Sequence, residues 1–121
     1  MTREVAGSNP ARRVLLHHYC IVREDVPWGV QAAQLAHAAG QTGGRLAIGA
    51  HVVVLGARDE HALERVLARL KALGVPHRAI YEPDPPWFGA LMAIGMVPMN
   101  RRNPHLRRAV ARLSLLHSRK P

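Results

Sequence analysis

Between Asp59 and Gly74 the chain carries a complete amphipathic helix, and its neighbours leave few folds open. Asp59 is placed to cap the helix start, because its short carboxylate can accept an orphan N–H of the first turn. Leu63, Val66, Leu67, Leu70 and Leu73 recur at helical spacing, with Arg65, Arg69 and Lys71 outside that stripe. Gly74 supplies the stop and Pro76 blocks continuation. Ahead of the helix runs Ala50 to Leu55 (AHVVVL), and behind it Pro76 to Tyr81 (PHRAIY). Both are rich in strand formers. A strand–helix–strand crossover is right-handed and gives parallel strands, so an α/β sheet is the natural frame.

The remaining segments extend that alternation. Val14 to Val22 (VLLHHYCIV) reads as a first, buried strand. Gly29 to Gly40 is rich in Ala and Gln and reads as a helix ending at glycine. A glycine-rich connector, 41–49, follows. After the third strand comes a loop with three prolines, Glu82 to Trp87 (EPDPPW), then an apolar fourth strand from Phe88 to Met96. Asn103-Pro104 opens a last helix, with Asn as cap and Pro at the first position. Its apolar stripe is Leu106, Ala109, Val110 and Leu113, opposite Arg107, Arg108 and Arg112. The order β-α-β-α-β-β-α predicts an α/β fold with a mixed, about four-stranded sheet. Residues 1–12 read as a flexible N-terminal arm and 13–121 as a single domain.

Composition narrows the class. A chain of 121 residues buries roughly two-thirds of the surface its unfolded form exposes, enough to fold without disulfides or metal. No apolar run reaches the ~20 residues that span a bilayer, and no signal peptide is recognisable. Cys20 stands alone, so neither a disulfide scaffold nor a zinc ribbon fits. A cytoplasmic domain without a membrane partner is expected. The net charge is +9, of which +7 falls on residues 97–121, where no acid occurs. A basic tail on a nearly neutral body points to a phosphate-bearing partner. The plainer reading is a solubilising tail in a chain that holds 15 Arg and 2 Lys.

In open α/β sheets ligands bind beyond the carboxyl ends of the parallel strands. One loop there holds Arg23, Glu24, Asp25 and Trp28; another holds Glu82, Asp84 and Trp87. Gln34 and His37, three apart on the first helix, share a face near that edge. Each has a duller role. His37 can be a packing histidine, Asp25 a helix cap, Trp28 and Trp87 core or lid residues, and EPDPPW a rigid turn. His17 and His18 cannot chelate together, because strand neighbours point to opposite faces. No glycine-rich phosphate loop, nucleophile elbow or His-Glu-x-x-His pattern occurs.

Arg23-x-Asp25, Gly29 and Ala32-Ala33-Gln34-x-x-His37-Ala38 together resemble the signature of the archaeal and eukaryotic-type peptidyl-tRNA hydrolases. Later segments agree in order: Leu73-Gly74-Val75-Pro76 resembles the family's L-G-x-P, and Ala93-Ile94-Gly95 its A-I-G. The likeness covers about Leu15 to Leu116. It implies a three-layer α/β/α sandwich that hydrolyses the ester between a peptidyl group and tRNA, with no cofactor and no metal. It implies Asp25, Glu82, Gln34 and His37 as catalytic candidates. Arg23, Trp28, Trp87, Asp84, Arg107, Arg108 and Arg112 are the candidates for holding tRNA. A homodimer is left open. Two departures stand out. Val30 occupies the place of the family's lysine in a turn two residues shorter, and no hydroxyl follows Glu82 in the acidic loop. A divergent, lysine-less branch resembles the chain better than the main one. A tRNA- or RNA-binding module without catalysis is the alternative, and a small-molecule hydrolase with an incidental basic tail is a third reading.

Overall fold

The computed structural model describes residues 15–117. The expected N-terminal arm, with Arg119 and Lys120 of the basic tail, lies outside the described residues. The fold is α/β. In chain order it runs β1 (Leu16–Arg23), α1 (Trp28–Thr42), β2 (His51–Ala57), α2 (Glu60–Leu73), β3 (His77–Glu82), β4 (Ala90–Met96), β5 (Met99–Asn100), α3 (Pro104–Val110) and β6 (Ser114–Leu115).

One mixed sheet of six strands has the order β3-β4-β1-β2-β6, with β5 paired to β1. The sequence pattern predicts about four. The two further strands are two residues each, too short for any period to show. β1 and β2 are parallel, His17 facing His51 and Arg23 facing Ala57. β4 runs antiparallel to both β1 and β3. β3 therefore points the same way as β1 and β2, but two strands separate it from β2. The second crossover spans the sheet rather than pairing its own two strands.

Alternation along β1 divides the core in two. Cys20 and Val22 join Ile80 and Ala93 beneath Leu35, Ala38 and Ala39 of α1. Ile21 joins Leu55, Ile94 and Met96 against Leu63, Val66, Leu67 and Leu70 of α2, with Leu106 and Ala109 of α3. Gly95 is required by packing. A Cβ there would strike the Ala38 carbonyl and the Thr42 side chain, so the glycine lets the α1 backbone lie directly on β4. His18 is fully buried on the same side, its Nε2 2.8 Å from the Thr42 hydroxyl. That hydroxyl itself donates to Ala38 O at 2.7 Å, so Nε2 must carry the hydrogen.

The helix ends follow local chemistry. Asp59 accepts from Ala62 N at 2.9 Å, and Gly74 closes α2 in the left-handed region at φ 68°. Asn103 caps α3 by accepting from His105 N at 2.9 Å, with Pro104 in the first turn. Several boundaries differ from the pattern by one or two residues: α1 begins at Trp28 and runs past the expected stop at Gly40 to Thr42, and β1, β2 and β3 each end one or two residues later. Two other differences have a local cause. Phe88 and Gly89 have positive φ and turn the chain, so β4 begins at Ala90. α3 ends at Val110. Leu113 still packs on the core, from a turn that delivers β6 to the edge of β2. Among the described residues no helix is long and apolar enough to cross a membrane.

Candidate functional site

The carboxyl ends of β1 and β3 lie at one edge of the sheet on either side of β4, with the start of α1 beside them. Arg23, the last residue of β1, is buried, and its guanidinium is answered on every side. Nε and Nη2 donate to the two oxygens of Asp25 at 2.7 and 2.8 Å, a bidentate fork. Nη1 donates to Leu91 O at 3.3 Å and lies 3.9 Å from Glu60 Oε1. The other oxygen of Glu60 accepts Leu91 N at 2.8 Å, so β4 is clamped between the two charges. The Trp87 ring lies over the guanidinium, 5.6 Å from its centre. The hydrogen bonds that Arg23 donates to Asp25 raise the Arg23 pKa against the opposing effect of burial.

The second cluster lies on the α1 side. Gln34 is buried and its Nε2 donates to Glu82 Oε1 at 3.0 Å. Glu82 Oε2 accepts the Asp84 backbone N–H at 3.1 Å, which folds the acidic loop back on its own first residue. Arg23 shares the sheet face of Ile21, toward α2, whereas Gln34 belongs to α1. The expected site is therefore two polar clusters at one edge, joined across β4 by the loop that carries both Glu82 and Trp87.

Asp25 is engaged by Arg23 and does not cap α1: Pro27 occupies the N-cap position and no side chain caps that helix. Trp28 begins α1 and is 54% exposed. Asp84 is exposed and Trp87 half-buried. His37 lies on the exposed face of α1 and makes no hydrogen bond to another described residue. One turn beyond Gln34, it is not drawn into either cluster. Val30 is half-buried in the first turn of α1.

Two residues beyond the expected set hold this edge together. Gln31 donates to Val26 O at 2.8 Å and Glu24 O at 3.3 Å, tying the loop after β1 to α1. Glu60 stands in the first turn of α2, and its reach to Arg23 depends on how α2 lies on the sheet. The expected tRNA-holding arginines also separate. Arg108 and Arg112 line a cavity of about 690 Å³ between α2 and α3, and Arg107 does not. A scan against protein-family models finds no match, and a search of the curated proteins finds none either.

Proposed function

We propose that this chain hydrolyses the ester between a peptidyl or N-blocked aminoacyl group and tRNA, as a divergent peptidyl-tRNA hydrolase of the three-layer α/β/α type acting in the cytoplasm. The observation that carries the reading is the Gln34–Glu82 hydrogen bond. It ties the A-A-Q segment to the acidic loop, two stretches 48 residues apart that the strand ends and the start of α1 are expected to bring to one edge. Ester hydrolysis needs a base to activate water and a donor for the developing oxyanion. Glu82 is the base in this scheme, because the charge of Asp25 is already neutralised by Arg23. Gln34 aims Glu82 and offers the amide donor. His37 stands one turn further along α1, where the departing tRNA end passes. Asp84 and Trp87 border the acyl group, while Trp28 meets the terminal base. The basic residues Arg107, Arg108 and Arg112 meet the tRNA backbone.

With Val30 in place of a lysine, turnover is slow. Loss of one electrostatic donor costs about 10²–10³ in rate. The test is release of an N-acetyl-aminoacyl group from tRNA with protein in excess. Val30→Lys is expected to give a partial gain, since an ångström of misplacement itself costs roughly 10². Wild-type release no faster than buffer, with no gain in Val30→Lys, overturns the hydrolase. It leaves the second reading, an RNA-binding module without turnover, which the absence of lysine at Val30 and of a hydroxyl after Glu82 favours.

A further inference from the structure

The cavity between α2 and α3 is lined by five arginines and a single carboxylate. Arg58, Arg65 and Arg69 line it from the end of β2 and from α2, and Arg108 and Arg112 from α3 and the turn after it. Its lining holds one carboxylate, Glu24, whose side chain lies against Gly56 where a Cβ would collide. Arg69 has a second task, donating to Ala109 O at 3.1 and 3.3 Å and so tying α3 to α2. Both walls of the cavity thus present guanidiniums and are fixed relative to each other.

A smaller cavity of about 200 Å³ adjoins it, and Glu24 and His117 line both. Trp28 stands on its wall. So does Gln31, 94% buried, with an Oε1 that has no hydrogen-bond partner. We propose that the two cavities form one groove for a single strand of RNA, with backbone phosphates between the α2 and α3 arginines and the following base against the Trp28 indole. This rests on the reading that the partner is RNA and deepens it, by naming the strand form and the path. Guanidiniums match phosphate oxygens bidentately, which favours arginine over lysine here. An exposed indole accepts any base face, whereas a paired duplex offers none at mid-helix. Two walls of arginine around a concave floor suit a flexible backbone better than a rigid helix.

The probe is a fluorescein-labelled RNA hexamer without an ester, followed by anisotropy at several salt concentrations. Arg58→Ala/Arg65→Ala/Arg108→Ala is expected to weaken binding at least tenfold. It should also flatten the log–log salt slope by about 2, at roughly 0.7 per phosphate contact on a single strand. Trp28→Ala is expected to cost about tenfold with the slope unchanged, because stacking releases no counterions. If the triple variant does not fold, Arg65→Ala alone reads out a slope change of about 0.7. Unchanged affinity and slope in folded variants overturn the groove. So does tighter binding of a duplex than of the hexamer. Displacement by inorganic tripolyphosphate at equal potency, with Trp28→Ala silent, overturns the strand in favour of a plain anion site. The hexamer cannot be hydrolysed at an ester, so its binding stands or falls apart from turnover. Hydrolysis with an unaltered KM in the triple variant sinks the groove and leaves the hydrolase standing.

Discussion

Arg23 and the arginines of the α2–α3 cavity lie toward the same end of β1 and β2, and they differ in what answers their charge. Arg23 is enclosed by Asp25, Glu60, the Leu91 carbonyl and the Trp87 ring. Five guanidiniums line the cavity with the Glu24 carboxylate alone among acids. The first arrangement consumes its field within the protein and sets geometry. The second gathers more guanidiniums than carboxylates around one cavity, the excess on which the proposed groove rests. Arginine content therefore says little about function until the acids around each one are known.

Removing single arginines is the sharpest way to break this contrast. Arg23→Met should destabilise by about 1–2 kcal/mol, since it removes the buried cation that the Leu91 carbonyl and the partly exposed Asp25 and Glu60 face. Urea unfolding measures it. Arg58→Ala should cost under about 0.5 kcal/mol, as exposed substitutions do. Equal losses in the two would erase the distinction.

A smaller effect separates the polar edge from its scaffold. Glu82→Gln removes the charge that the Gln34 amide and the Asp84 N–H serve. It should lower stability by roughly 1 kcal/mol, the scale of a hydrogen bond weakened rather than lost. Release of N-acetyl-aminoacyl groups should fall tenfold or more in the same variant. Turnover that survives intact would move the base elsewhere.

Within the basic helix the comparison becomes finer. Arg107 and Arg108 are neighbours, yet only Arg108 lines the cavity. Arg108→Ala should flatten the salt slope of RNA-hexamer binding by about 0.7, and Arg107→Ala by clearly less. Identical slopes would mean that the whole tail acts as a diffuse positive surface.

The smallest effect comes from outside both regions. Burial holds the His18 imidazole below its usual value. The unfolded chain takes up this proton near pH 6.5, and the folded protein only at lower pH. The contribution to stability is complete above about 6.5 and is lost as pH falls through the folded value, because the unfolded state binds more protons in that window. His18→Gln should remove that part of the slope between pH 7.5 and about 5.5, a range above the titration of most carboxylates.

Much of the frame was legible along the chain. Asp59, Gly74 and the leucine stripe of α2 act within one or two turns, so spacing alone reveals them. Asn103 and Pro104 mark α3 for the same reason. The parallel β1–β2 pair follows from the crossover between them. β5 and β6 were not legible, because two-residue strands exist only where a neighbour offers an edge. Nor did the pattern separate Asp25 as a partner of Arg23 from Asp25 as a cap, since two residues of spacing allow both.

What the sequence determined by itself is local: where helices start and stop, which residues alternate into a core, and that positive charge gathers toward the last quarter of the chain. What only the tertiary structure decided is which of those residues meet. Gln34 reaches Glu82 because Gly95 lets α1 lie on β4. Arg65 and Arg69, an i,i+4 pair that reads as a solvated helix face, become one wall of a cavity because α3 returns alongside α2, held there by Arg69 on Ala109 O. Spacing of this kind is set by chain distances of 40 residues or more. Contacts across such distances carry no periodic signal, because they arise from packing one element on another rather than from the geometry of either.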